Sequence, residues 1–171
     1  MPRNRTLGFV LAAVIFVVDQ AIKAWVVGPL DINTIGDVRE ILPFFDLRFV
    51  PNIGISLGLL PADGPVMRWA LVLLTAGIAA GVGIWMMRET VRADLMALAL
   101  VLGGAIGNIL DRIRLGYVVD YADLHFGEWR PFLVFNVADA AITVGVVILL
   151  IRSLFAGRSA KGGASGEASN A

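Results

Sequence analysis

Residues 132–155 read FLVFNVADAAITVGVVILLIRSLF. The run is close to the roughly 20 apolar residues that cross a hydrocarbon core, yet its first turns carry Asn136 and Asp139. A carboxyl at that depth is costly unless it faces a bundle interior or a watery cavity. The segment therefore implies further spans packed around it. Asn136 and Asp139 are three apart and share one helical face. With the span starting at Phe132, Asp139 lies about 7 residues in, roughly 10 Å below the boundary.

Three other stretches supply the neighbours: Leu95 to about Ile113, Val66 to Met87, and Leu7 to Val27. The first span is broken by Asp19, Gln20 and Lys23, the second mainly by Arg68. A signal peptide also starts with basic residues and an apolar core, but no small-residue cleavage site follows Val27, and three more spans argue for a resident membrane protein. Composition agrees: 58% of the 171 residues are hydrophobic and 16% charged, against about half and about a quarter in soluble domains. The fold expected is an α-helical integral membrane protein with four transmembrane helices, one domain over residues 1–155.

Arg3 and Arg5, Arg88 and Arg92, then Arg152, Arg158 and Lys161 flank ends that an even number of crossings places on one side. The positive-inside rule makes that side, and both termini, cytoplasmic. The outer side receives residues 28–65 and 114–131. Phe45-Asp46-Leu47-Arg48-Phe49 alternates apolar and polar residues as a half-buried strand does, so a small sheet is expected on the outer mouth of the bundle. Residues 156–171 are rich in Gly, Ser and Ala and read as a disordered cytoplasmic tail.

Fourteen basic and fourteen acidic residues cancel, leaving no basic field for nucleic acid. The absence of cysteine excludes disulfides, thiolate metal sites and a cysteine nucleophile, and His125 is the only histidine. No metal or other cofactor is expected.

The remaining polar residues fall in clusters. Asp19 and Lys23, four apart on one face, suit an ion pair; Lys23 reaching a substrate carbonyl or lipid ester is the other reading. Asn52, Gly54 and Gly58 punctuate a loop. Gly103, Gly104 and Gly107 give the third span a small surface for close helix approach, and Asn108, Asp111 and Arg112 follow. Asp120 lies beyond that span, where the returning chain can bring it to Asp139. Two aspartates close together in a poorly hydrated site share one proton and so become an acid and a base. Such a pair can activate water against a peptide carbonyl without a covalent intermediate. Paired membrane carboxylates also serve proton and cation transport, which is the alternative function.

Five blocks then match in order: Val18 to Lys23, Asn52 to Gly58, Gly103 to Arg112, Gly116 to Tyr121, and Phe135 to Asp139. Together, across residues from about 9 to 150, they resemble the motif blocks of bacterial prolipoprotein signal peptidases, the signal peptidase II family. The resemblance implies an aspartyl endopeptidase of the inner membrane that cleaves before the diacylglyceryl-modified cysteine of a prolipoprotein. It implies Asp120 and Asp139 as the catalytic dyad near the periplasmic face. Asn52, Gly54, Asn108, Arg112 and Asn136 align with residues that line or support the family's pocket, and Asp19, Lys23 and Asp111 with its other invariant polar positions. It further implies a periplasmic β-cradle, an amphipathic lid, lipidated prolipoproteins and membrane lipid as partners, a monomer, and globomycin-type inhibitors. Ile55, Ser56 and Leu57 depart from the family's usual Ala-Ala-Phe, which bears on pocket shape and inhibitor fit. A Ser56–Lys23 nucleophile and base would be a rival, but it leaves the two aspartates without a role.

Overall fold

The computed structural model describes residues 3–54 and 64–164. Four helices form: α1 (Arg3–Val27), α2 (Pro65–Arg88), α3 (Arg92–Arg114) and α4 (Val137–Ala164). Each has a window long and apolar enough to cross a membrane, and Pro65 opens α2 where a missing N–H costs nothing. Three strands, β1 (Val38–Leu42), β2 (Phe45–Asn52) and β3 (Val118–Leu124), form an antiparallel sheet in the order β1-β2-β3.

The bundle is built around α3. Its span window is 56% buried, against 17–22% for the other three. Small residues explain this. A Cβ on Gly103 would stand 2.5 Å from the Ala12 carbonyl oxygen on α1, and one on Gly104 would collide with the Ala138 carbonyl on α4. Without a hydrophobic drive between helices in lipid, such backbone approach is the main source of packing energy.

A second core seats the sheet on the end of α1: Val26 and Ile32 pack with Leu47, Phe49, Val119 and Tyr121. The alternation predicted for residues 45–49 holds at its centre, where Leu47 and Phe49 are buried, although Asp46 is buried as well. Its partner β3 lies in the outer segment 114–131, where the sequence predicts a loop. Residues 118–123 are buried without interruption, so no period-2 pattern announced a strand.

α4 differs from its prediction at both ends. It starts at Val137, five residues beyond Phe132, because Phe135 is drawn into a backbone bridge with Ala122. Asp139 therefore stands in the first helical turn rather than about 7 residues in. At the other end the helix runs past Phe155 to Ala164, into the segment read as a disordered tail; once a helix exists each added residue gains a bond cheaply. Residues 165–171 lie outside the described residues, as do residues 55–63 with Ile55, Ser56 and Leu57, where the outer segment leads into α2. No lid is present among the described residues.

Candidate active site

The first amides of a helix need acceptors from elsewhere, and α4 obtains them from the site residues. Asn136 accepts the Asp139 amide through Oδ1 at 2.8 Å, while Asp139 Oδ2 accepts the Asn136 amide at 3.3 Å. This is the reciprocal arrangement of a capping box. Asp19 Oδ1, reaching from α1, accepts the Ala138 amide at 3.0 Å. The helix end that carries Asp139 is thus fixed from two elements.

Asp120 enters from β3, paired with Val50 of β2. Asn136 Nδ2 donates to Asp120 Oδ1 at 2.6 Å, and Asn52 Nδ2 donates to Oδ2 at 2.9 Å. Asn52 is itself held because its Oδ1 accepts the Gly54 amide at 2.8 Å. Gly54 has φ 101, a conformation glycine adopts without strain. On the other carboxyl, Asn108 Nδ2 donates to Asp139 Oδ1 at 2.8 Å. Asn136 therefore touches both aspartates and ties the strand to the helix.

Asp120 is 2% exposed. Burial first, and the neighbouring Asp139 charge second, push its carboxyl up to about 7 against the hydrogen bonds from Asn52 and Asn136 and the charge of Lys23. The Asp139 charge thus bears on whether Asp120 holds a proton.

Behind the aspartates lies a buried ionic network. Lys23 Nζ stands 2.8 Å from Asp19 Oδ2, 2.7 Å from Asp111 Oδ2 and 3.1 Å from Asn108 Oδ1. The i,i+4 pair expected from sequence is formed, and three partners engage the three donors of the ammonium. Asp111 Oδ2 also accepts the Val119 amide at 3.3 Å, anchoring β3. Gln20 donates to Asp111 at 2.9 Å and to Asp19 at 3.2 Å. Gln20 is not among the predicted site residues; its signal in the sequence is a polar side chain inside an apolar span, beside Asp19 and three before Lys23.

Arg112 reaches the site from α3. Its Nη1 makes a long 3.5 Å bond to the Asn108 carbonyl and its buried Nε has no hydrogen-bond partner, so donor capacity remains. All ten residues predicted for the site therefore converge at the end of the bundle that carries the sheet. Ser56 lies outside the described residues.

The sequence pattern of the family described as Signal peptidase (SPase) II matches residues 11–155. The chain belongs to the signal peptidase II family. As a peptidase of this family it is a multi-pass membrane protein. It is 55% identical over 151 residues to the lipoprotein signal peptidase of Rhizorhabdus wittichii, covering 88% of this chain and 87% of that one. It is 50% identical over 153 residues to that of Sphingopyxis alaskensis, covering 90% and 88%. Two solved chains described as bacterial membrane enzymes share the fold at 26% identity. Their TM-scores are 0.73 and 0.75, each covering 87% of this peptidase and 88% and 93% of the solved chains.

Proposed function

We propose that this peptidase removes the signal peptide from diacylglyceryl-modified bacterial prolipoproteins, cutting before the lipidated cysteine, with Asp120 and Asp139 as its catalytic carboxylates. The observation that carries the reading is that Asn136 bonds both carboxyl groups, its side-chain Nδ2 donating to Asp120 Oδ1 and its backbone N–H to Asp139 Oδ2, since one residue thereby holds the two titratable acids in one site. Asp139, at the α4 N-terminus where the helix dipole favours negative charge, is the base. Asp120 is the acid.

In this mechanism Asp139 takes a proton from water as the water oxygen bonds to the scissile carbonyl carbon. Asp120 gives its proton to the carbonyl oxygen, forming a neutral tetrahedral diol. Asp139 then passes its proton to the departing amine as the C–N bond breaks, and one hydroxyl of the diol returns its proton to Asp120. Arg112 has unused donor capacity and feels the charges of both aspartates, which suits it to a substrate carbonyl. No metal or other cofactor enters any step.

The site belongs at the periplasmic face of the inner membrane with both termini cytoplasmic. Support comes from the opposite end of the bundle, where Arg5 bonds the Glu89 carbonyl at 3.1 Å and Arg152 pairs with Asp94. The basic flanks gather there, as positive-inside topology requires. Globomycin-type compounds should compete for the pocket.

The test is cleavage of a synthetic lipidated prolipopeptide and its unlipidated counterpart by the purified protein. Cleavage of the lipidated form alone is expected. Asp120→Asn and Asp139→Asn should each lower kcat by at least about 10³-fold, while Ser56→Ala retains activity. Retained cleavage in either aspartate variant defeats the mechanism, and ion flux in vesicles without proteolysis would favour a transporter.

A further inference from the structure

The chain between Ala122 and Phe135 leaves the bundle and returns to it. These two residues bridge beside the start of α4, and Phe126 and Trp129 form a second bridge further out. The outer bridge closes a two-residue turn. The Phe126 amide donates to the Trp129 carbonyl at 2.9 Å and the Trp129 amide to the Phe126 carbonyl at 3.3 Å. Gly127 makes the turn with φ 64, a conformation glycine adopts without strain. Phe126 is four positions past Ala122, a reach of about 13 Å at the rise of extended chain. A helix with its side chains is about 10 Å across, so the tip overreaches the start of α4. Because the sheet rests by one face on the end of α1, that reach runs across the bundle and out over its flank.

The tip is aromatic and turned outward. Trp129 is 65% and Phe126 55% exposed, and their ring centroids lie 5.9 Å apart. Phe44, exposed on the β1–β2 turn, is tied to them by the His125 amide, which donates to its carbonyl at 3.0 Å. Next to Trp129, Arg130 is held to Asp123 at 3.1 Å. Large apolar rings presented on a braced turn mark a contact surface.

The other tryptophans identify what the surface meets. Trp25, near the end of α1, and Trp69, near the start of α2, are exposed at the sheet end of the bundle, while Trp85 is exposed near the opposite end of α2. This is the distribution of an aromatic belt, in which amphipathic rings sit at the level of the lipid headgroups. α4 opens as Val-Ala-Asp-Ala-Ala-Ile-Thr-Val, with no aromatic residue. Trp129 stands out over that gap in the belt.

We infer that the turn from Phe126 to Trp129, together with Phe44, is a membrane-contact surface whose rings enter the headgroup region of the leaflet beside the sheet. Continuity with the belt on α1 and α2 selects lipid over a protein partner, since tryptophans on three separate elements mark one boundary. The contact sets the height of β3, and so of Asp120, above the lipid. It requires the membrane spans and is independent of the proteolytic mechanism.

The chain has no cysteine, so Glu128→Cys, Thr34→Cys and Val147→Cys each accept a single nitroxide on the full-length protein. In phosphatidylcholine vesicles, each label's accessibility to oxygen, which concentrates in lipid, is compared with its accessibility to a water-soluble nickel chelate. The label at 128, on the tip, should lie about 5–10 Å inside the headgroup boundary, between the exposed polar loop at Thr34 and the lipid-facing Val147. Adding Phe126→Ser and Trp129→Ser should move it to the Thr34 value. A label at 128 as open to nickel as that at Thr34, with the tip intact, overturns the inference. A second measurement leaves Trp129 as the single tryptophan through Trp25→Phe, Trp69→Phe and Trp85→Phe. Its fluorescence should be quenched by lipid brominated near the headgroup end of its chains; quenching by aqueous acrylamide alone overturns the inference. So does shielding that depends on the protein-to-lipid ratio, which would mark contact with a second copy. Shielding that arises only when a lipidated prolipopeptide is added would mark contact with substrate and overturns it as well.

Discussion

Asn136 serves both carboxyls at once, its Nδ2 donating to Asp120 Oδ1 at 2.6 Å and its backbone N–H to Asp139 Oδ2 at 3.3 Å, while its Oδ1 accepts the Asp139 amide at 2.8 Å. Replacing it with aspartate preserves its shape but removes the donor and adds a third acid. Asn136→Asp should lower kcat/KM by at least about 10²-fold, near what loss of one preorganised charge-stabilising donor costs, with the fold kept in a thermal melt. Activity within threefold of the parent would show that the bridge is incidental. The pH profile tests Asp120 more directly. Its carboxyl, raised to about 7 by burial and by Asp139, must be protonated to act as the acid, so kcat/KM should fall as pH rises through that region. The Asn52 hydrogen bond favours the ionised form and opposes the rise. In Asn52→Leu the descending limb should accordingly move to higher pH. A shift the other way would mean that the limb reports another group.

Among the elements, α4 shows what the sequence reveals and what it conceals. Residues 132–155 are apolar enough to read as one span, yet residues 132–136 lie outside the helix, with Phe135 bridged to Ala122. Hydropathy cannot separate these states, since the same side chains suit both. The Asn136–Asp139 spacing was the local signal, an acceptor followed three residues later by an acid. The Asp19–Lys23 pair was legible from its i,i+4 spacing, but its role at the α4 amide was not, because that contact joins residues 119 positions apart. Energetics follow from the network. Lys23 is 4% exposed and stands between Asp19 and Asp111. Lys23→Met leaves two buried carboxylates uncompensated and should cost about 3–5 kcal/mol. Asp19→Asn keeps an acceptor for Ala138 and leaves a neutral Lys23–Asp111 pair, so its cost should be smaller. Unfolding in detergent would rank the two, and the reverse order would contradict the charge assignment.

Across the whole molecule, four spans and a sheet at one end were legible from composition, basic flanks and the alternation in β2. The strand carrying Asp120 was not, since burial on both faces erases the period on which such reading depends. That strand also couples sheet to bundle. Asp123, 1% exposed and directly opposite Asp46 in the β2–β3 ladder, is held by Arg48 and Arg130, each 3.1 Å from its Oδ2. Arg130 lies on the connector that leads through Leu133 to the α4 cap, so this ion pair ties that connector to β3. Arg130 has 44% of its side chain exposed, and Arg48 still compensates Asp123 when it is removed. The pair itself should then contribute no more than about 1 kcal/mol. Arg130→Ala should therefore leave the melting temperature nearly unchanged while raising KM severalfold for the lipidated substrate, with kcat largely kept. A fall in kcat at constant KM would place Arg130's influence on the carboxylates themselves, and an unchanged KM would show that the connector holds its position without the sheet.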